Sequence, residues 1–374
     1  MIVQGSDHDE FDLESKDQPK GFFNWFIELP LWKKILFILI AILVLVVIVF
    51  LFLLIPFVNT SRTDIYKALI PYSSLNQTKI NELDSSFADM NTDGFTVLLD
   101  GKLYHRGGKD TTLGNIASCR KSILSVLFGI AVEKGLINIS KSLREIGFDD
   151  SVTPLTELEK SATIQDLLKA RSGVYLYSIG SSPSMLSRAP ARGSHAPGTY
   201  FYYNNWDFNS LGVIFEQLTG ISLGQAIYDW IAVPLGMGYF RPENVKYETS
   251  SKTSIRMFRI WMCPEDMAKF GQVMIDGSIV SQSWINESLT NYSLVDYIDE
   301  HSGYGYLWWL GKTGEYFMAM GSGGNFILVD RSRKIVVATK NLNGNSYTQQ
   351  LWYLIFSKEA PISEATKFHS IMKE

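Results

Sequence analysis

The sequence predicts an α/β fold of the α+β kind: an antiparallel sheet flanked by helices, an inserted mostly helical subdomain, and one N-terminal transmembrane helix. Three observations predict it. Strand-like runs stand at both ends of the region from Phe95 to Thr339, helical periodicity fills its middle, and Ile35 to Phe57 is one uncharged apolar run. Strands at both ends with helices between them imply a sheet assembled from the domain's two termini.

The first strands are Phe95 to Leu99 and Lys102 to His105, joined by an Asp100-Gly101 turn. Asp-Gly between apolar runs favours a tight hairpin because both turn positions tolerate positive φ. Tyr304 to Leu310, Tyr316 to Met320, Asn325 to Asp330 and Ile335 to Thr339 supply the later strands, the last two separated by the polar Asp330–Lys334 turn. Between the two sets, Ser122 to Lys134 has a helical pattern closed by Gly135, a natural C-cap. Ile164 to Ala170, Phe208 to Leu218, Leu223 to Ile231 and Pro264 to Asp276 are predicted as further helices. Pro264-Glu265-Asp266 suits a first turn, where proline's missing N–H costs nothing and acids favour the positive end.

A helix over Ile35 to Phe57 would cross a hydrocarbon core of about 30 Å. The run starts well after residue 1 and ends in Leu-Leu-Ile-Pro-Phe without a small-residue cleavage site, which points to a retained signal anchor. Lys33 and Lys34 abut its N-terminal side, so the expected topology has the N-terminus in the cytoplasm. The expected organisation is therefore an acidic, disordered cytoplasmic tail (1–32), a membrane anchor (33–57), a stalk (58–90) and a domain (91–374) with its helical region at about 140–290. The expected location is a bacterial inner membrane, with the domain on the periplasmic side and the membrane contacted through residues 33–57.

Composition narrows the function classes. The chain has 374 residues, 46% of them hydrophobic, and a net charge of -4. No basic cluster interleaved with aromatics suggests nucleic-acid binding. Neither the two cysteines, Cys119 and Cys263, nor the five histidines have metal-ligand spacing, so no metal and no cofactor are expected. Two buried thiols or one disulfide both remain open.

The chemistry centres on Ile116-Ala-Ser-Cys-Arg-Lys-Ser-Ile-Leu-Ser-Val-Leu-Phe128. Ser118 falls at the predicted helix start, where unpaired N–H groups concentrate positive charge. Lys121 lies three residues on, on the same face. A serine hydroxyl needs a base to become a nucleophile, and a lysine serves as base once burial or neighbouring positive charge lowers its pKa. Taken alone, Ser-x-x-Lys also fits an N-cap serine and a surface lysine.

Further blocks follow in order: Arg171-Ser-Gly173, Pro197-Gly-Thr-Tyr-Phe-Tyr-Tyr203-Asn-Asn205-Trp-Asp-Phe-Asn-Ser-Leu-Gly212, Tyr304-Gly-Tyr-Leu-Trp-Trp309 and Gly321-Ser-Gly-Gly-Asn325. Together with Ser118-Cys-Arg-Lys121 they resemble the serine beta-lactamase-like superfamily, and within it the 6-aminohexanoate-dimer hydrolase-like subgroup. The resemblance covers roughly residues 90 to 345. It implies a beta-lactamase/transpeptidase-like fold in which Ser118 attacks a carbonyl to form an acyl-enzyme. It further implies that Lys121 accepts the serine proton or keeps Tyr203 ionised to do so. Tyr203 then shuttles a proton to the leaving group, and Asn205 orients Lys121 and the substrate amide. Tyr202 is the rival of Tyr203 under a one-residue slip. Phenol and ammonium have similar reference pKa values, about 10, so they share a proton cheaply.

The third motif of the family departs. A literal Lys312-Thr-Gly314 stands here, but it lies between two strand patterns and suits a hairpin turn. The glycine-rich Gly321-Ser-Gly-Gly324 precedes the strand that the resemblance places by the nucleophile, which favours Gly323, Gly324 and Asn325 for the substrate strand and the second oxyanion N–H. Ser322 then stands where a cation would bind a substrate carboxylate, which argues against an efficient beta-lactamase. The aromatics Tyr200, Trp206, Trp308 and Trp309 either line an apolar acyl pocket or pack in the core. The function expected is that of a serine amidase or esterase acting on a small amide or ester. The alternative is a catalytically idle, membrane-anchored recognition or sensor module.

Overall fold

The computed structural model describes residue 26, residues 29–37, 39–40, 42–43 and 69, and residues 92–295, 301–311 and 316–341. The chain forms two compact units, 1–63 and 64–374. Only the second unit holds the expected site residues.

The expected transmembrane helix is corrected. Among the described residues no helix is long and apolar enough to cross a membrane. Besides Phe26, described helical positions in the first unit run from Leu31 to Leu43, with 38 and 41 left out, a reach of about 20 Å against the 30 Å required. Residues 44–57 lie outside the described residues, as do nearly all of the predicted acidic tail and stalk. The signal anchor, the membrane contact through 33–57 and the single-pass location rested on that helix and are withdrawn with it.

The second unit bears out the α/β architecture. β1 (Gly94–Leu99) and β2 (Lys102–Gly108) form the predicted hairpin, and both turn residues adopt positive φ, 50° at Asp100 and 71° at Gly101. After a short β3 (Gly114–Asn115) comes α1 (Arg120–Glu133), followed by Gly135 at φ 69°. The middle holds α2 (Ile164–Leu168), α3 (Pro183–Ser187), α4 (Asn205–Thr219) and α5 (Leu223–Ile227). It also holds β4 (Val245–Ser250) and β5 (Thr253–Met262), then α6 (Pro264–Asp276) and α7 (Gln282–Ser288). The last strands are β6 (His301–Tyr304), β7 (Trp309–Gly311), β8 (Tyr316–Gly321), β9 (Asn325–Asp330) and β10 (Ile335–Lys340).

Among the described residues the main sheet is seven-stranded, in the order β2-β1-β10-β9-β8-β7-β6. β1 pairs antiparallel with β10, Val97 opposite Val337, so the domain's first and last strands close the sheet as the sequence predicts. β9 and β10 are buried at every position, which requires cover on both faces. α6 packs against β1, β9 and β10. At Gly271 a Cβ would stand 2.6 Å from Val336 Cγ1, so only glycine lets the helix come this close.

The inserted region is not purely helical. β3, β5 and β4 form a second, three-stranded sheet that the sequence analysis left out. Its signal was present: along β5 buried Ile255 and Met257 alternate with exposed Ser254 and Arg256. This small sheet matters for the site, because Asn115 in β3 pairs with Trp261 three residues before Ser118.

Candidate active site

The nucleophile turn is built from the strand outward. Ile116 N donates to Ile260 O at 3.0 Å, and the Asn115 side chain accepts from Ala117 N at 3.0 Å. Ala117 is thereby held at φ 48°, a conformation that is costly for a residue with a Cβ. The 3-10 turn Ala117–Cys119 follows and leads into α1. Ser118 therefore sits in a strained turn just ahead of the α-helix, and Lys121 is the second residue of that helix. Ser118 is partly exposed, whereas Arg120 to Ala131 are all buried.

Lys121 Nζ donates to Ser118 Oγ at 2.9 Å and to Tyr203 Oη at 2.5 Å. Its ammonium also lies over the Tyr203 ring at 4.1 Å and the Phe208 ring at 4.4 Å. Burial, with the Arg120 charge second, holds the Lys121 amine well below its ordinary range. Burial pushes the Tyr203 phenol up to about 12, although the Ser118 hydrogen bond and the Arg120 charge pull it down. Both shifts act against charge: burial disfavours the Lys121 ammonium and the Tyr203 phenolate alike.

The register of the tyrosines is decided by geometry. Tyr202 Oη donates to Met185 O at 2.5 Å, away from the pair, so Tyr203 alone reaches Lys121. Asn204 caps α4, its side chain accepting from Trp206 N at 3.0 Å. Asn205 does not take its expected place. Its Nδ2 donates to Gly180 O at 2.7 Å, and its Oδ1 is buried with no hydrogen-bond partner. The amide ties α4 to the loop before α3 rather than to Lys121. Arg171 secures the same region by donating to Gly198 O at 2.9 Å and Tyr292 O at 2.8 Å. Ser172 donates to the buried Asp207.

On the sheet side the end of β8 abuts the nucleophile turn. A Cβ on Gly321 would lie 2.4 Å from Ile116 O, and Cys119 Sγ donates to Asn325 O at 3.2 Å. Gly323 and Gly324, at φ 78° and 74°, form the hairpin turn between Gly321 and Asn325. The glycine-rich segment thus abuts the nucleophile turn at Ile116 and Cys119, while Ser322 is exposed. Lys312 lies outside the described residues.

The aromatics divide. Trp206 and Trp308 are fully buried core residues. Tyr200 is exposed and stacks on His195 at 4.1 Å. Trp309 packs on Tyr203 at 5.1 Å and Tyr304 at 4.8 Å, forming a wall behind the phenol. The cysteines are both free and buried, which answers the disulfide question. Among the described residues no cluster of His, Cys, Asp and Glu is placed to hold a metal ion. Arg120 is a site residue not foreseen from the sequence, although a charged residue opening a largely apolar helix was the available signal.

This architecture has known counterparts. The family model Beta-lactamase matches residues 88–359. The chain belongs to the Beta-lactamase family. Solved structures agree in fold. A protein assigned as a 6-aminohexanoate-dimer hydrolase from Bacillus anthracis is 19% identical with a TM-score of 0.56, over 78% of this chain and 86% of that one. The octameric penicillin-binding protein homologue from Pyrococcus abyssi is 21% identical with a TM-score of 0.57, over 76% and 78%. A D-stereospecific amidohydrolase from Streptomyces sp. is 16% identical with a TM-score of 0.55, over 76% and 100%. No curated protein matches the chain. Membership of the Beta-lactamase family makes the chain a serine-hydrolase-like protein at the level of its superfamily.

Proposed function

We propose that the protein is a serine hydrolase that cleaves a small amide or ester through an acyl-enzyme at Ser118. The observation that carries this reading is the continuous chain Ser118 Oγ, Lys121 Nζ, Tyr203 Oη, at 2.9 and 2.5 Å, inside a largely buried pocket of side chains. In this scheme the neutral Lys121 amine takes the Ser118 proton as Oγ bonds to the carbonyl carbon. The proton passes through Tyr203 to the leaving amine or alkoxide. Water then attacks the ester, gives its proton back along the same route, and releases the acid and Ser118.

The Ser118 N–H and a backbone N–H of the Gly323–Asn325 segment are the proposed oxyanion donors. Asn205 is proposed to shape the site by fixing the loop at Gly180, with its unpartnered Oδ1 as an acceptor. An uncharged Ser322 beside the site suits substrates without a carboxylate anchor, and the similarity to an amidohydrolase and an aminohexanoate-dimer hydrolase agrees with an amide substrate.

The test is covalent labelling of the full chain by a fluorophosphonate ester, with an ester and amide substrate panel. Label on Ser118, lost in Ser118→Ala, is the expected result. A folded protein that takes up no label and turns over no member of the panel would overturn the proposal and leave a recognition role.

A further inference from the structure

Arg120 is 1% exposed, yet no carboxylate neutralises it among the described residues. Its guanidinium lies 4.3 Å over the Phe258 ring of β5, and its Nη2 donates to Asn209 Oδ1 at 3.0 Å. Its Nη1 is buried with no acceptor among the described residues. The carboxylate that acts on it, Glu248 of β4, is already bound by both guanidinium arms of Arg259, through Nε to Oε1 and Nη2 to Oε2. Buried charges are ordinarily paired, because removing an ion from water is costly. An unpaired one has a reason to exist.

The neighbour supplies the reason. Phe208 and Asn209 are consecutive residues of α4: Lys121 Nζ rests on the Phe208 ring, and Arg120 binds the Asn209 side chain. The consecutive buried side chains Arg120 and Lys121 are thus both held against the start of α4. A guanidinium keeps its proton where an ammonium does not, so the lysine is the one that yields.

The other groups facing Lys121 do not cancel this. On its own turn, burial keeps the Cys119 thiol protonated. Tyr203 is a neutral phenol, and the buried Asp207 of α4 is directed at Ser172 and Asn204. β8 and β9 contribute Gly321 and Asn325 at the turn, neither titratable.

We infer that Arg120 is a positioning residue that holds Lys121 in its proton-accepting form by placing a fixed, unneutralised charge beside it. The inference rests on Lys121 acting as the base of the proposed hydrolase.

The experiment follows the Lys121 side chain directly. Full-length protein carrying 13C-lysine is titrated by NMR, with the Lys121 signal assigned by its loss in Lys121→Met. Lys121 in the wild type is expected to titrate below the surface lysines. Arg120→Met, which keeps length and removes charge, moves that titration upward by about one pH unit or more. The acid limb of the Ser118 labelling rate moves with it, a loss of about tenfold on the acidic side that is recovered at alkaline pH. Asn209→Asp leaves Arg120 in place, neutralises it, and shifts Lys121 in the same direction, so the inference stays testable if Arg120→Met does not fold. An unchanged Lys121 titration in the folded variants, or a rate loss equal at every pH, would overturn it. Failure of the hydrolase reading is seen separately, as absence of Ser118 labelling in the wild type at any pH, while the NMR titration still reads the charge effect.

Discussion

The Cys119 thiol donates to the backbone carbonyl of Asn325 at 3.2 Å, joining the nucleophile turn to the first residue of β9. The contact spans 206 positions of sequence and is fully buried. Replacing Cys119 by Ala removes the tether and opens a small void, at a cost of about 1–2 kcal/mol. Urea unfolding of the variant measures this. Because burial raises its pKa, the native thiol is expected to resist thiol reagents and to react only after unfolding.

Tyr203 and Tyr202 separate cleanly in their expected phenotypes. Tyr203→Phe removes the hydroxyl that meets Lys121 and should slow Ser118 labelling by roughly 100-fold or more. Tyr202→Phe loses only the bond to Met185 O, a stability cost of about 1 kcal/mol with little change in labelling. Equal effects of the two variants would refute the assigned register.

The pH dependence has a defined sign. Burial and Arg120 lower the Lys121 pKa, so the amine carries a proton and cannot act as base only on the acidic side of that value. Labelling should rise with pH through the folded-state pKa of Lys121 and hold until Tyr203 loses its proton at about 12. A labelling rate that falls as pH rises across neutrality would contradict this assignment.

Asp150 anchors the inserted region. Its carboxylate accepts from Thr253 Oγ1 at 2.6 Å, Ser254 N at 3.0 Å and Val152 N at 3.0 Å, stapling its loop to β5. Burial pushes its pKa up, but those hydrogen bonds outweigh it and leave the value below the ordinary 3.8. Its folded pKa is depressed, so its contribution is present above 3.8 and is lost as pH falls through the lower, folded value. Asp150→Ala should cost about 3 kcal/mol at neutral pH by denaturant unfolding. The gap from wild type should narrow under strong acid.

Much of this was legible along the chain because it is local. The Asp100-Gly101 hairpin follows from two residues that tolerate positive φ. The end of α1 near Gly135 and the start of α6 at Pro264 follow from cap chemistry. The Ser118–Lys121 contact follows from helical spacing, which stacks residues three apart even though the first of them sits in a 3-10 turn. The alternation along β5 was legible too, but its pairing with β3 joins segments far apart in the chain.

What the sequence by itself determined is therefore most of the main-sheet strands and the longer helices, and the one pair whose geometry a single helical turn dictates. Only the tertiary structure decided that Tyr203 rather than Tyr202 meets Lys121, a contact between residues 82 positions apart. Only it decided that Asn205 turns to Gly180, and that Arg120 is buried next to Lys121 with no counter-ion among the described residues. The reason is physical. Local pattern sets backbone conformation, but the protonation of a lysine depends on what surrounds it, and Tyr203 and Phe208 reach Lys121 from far along the chain.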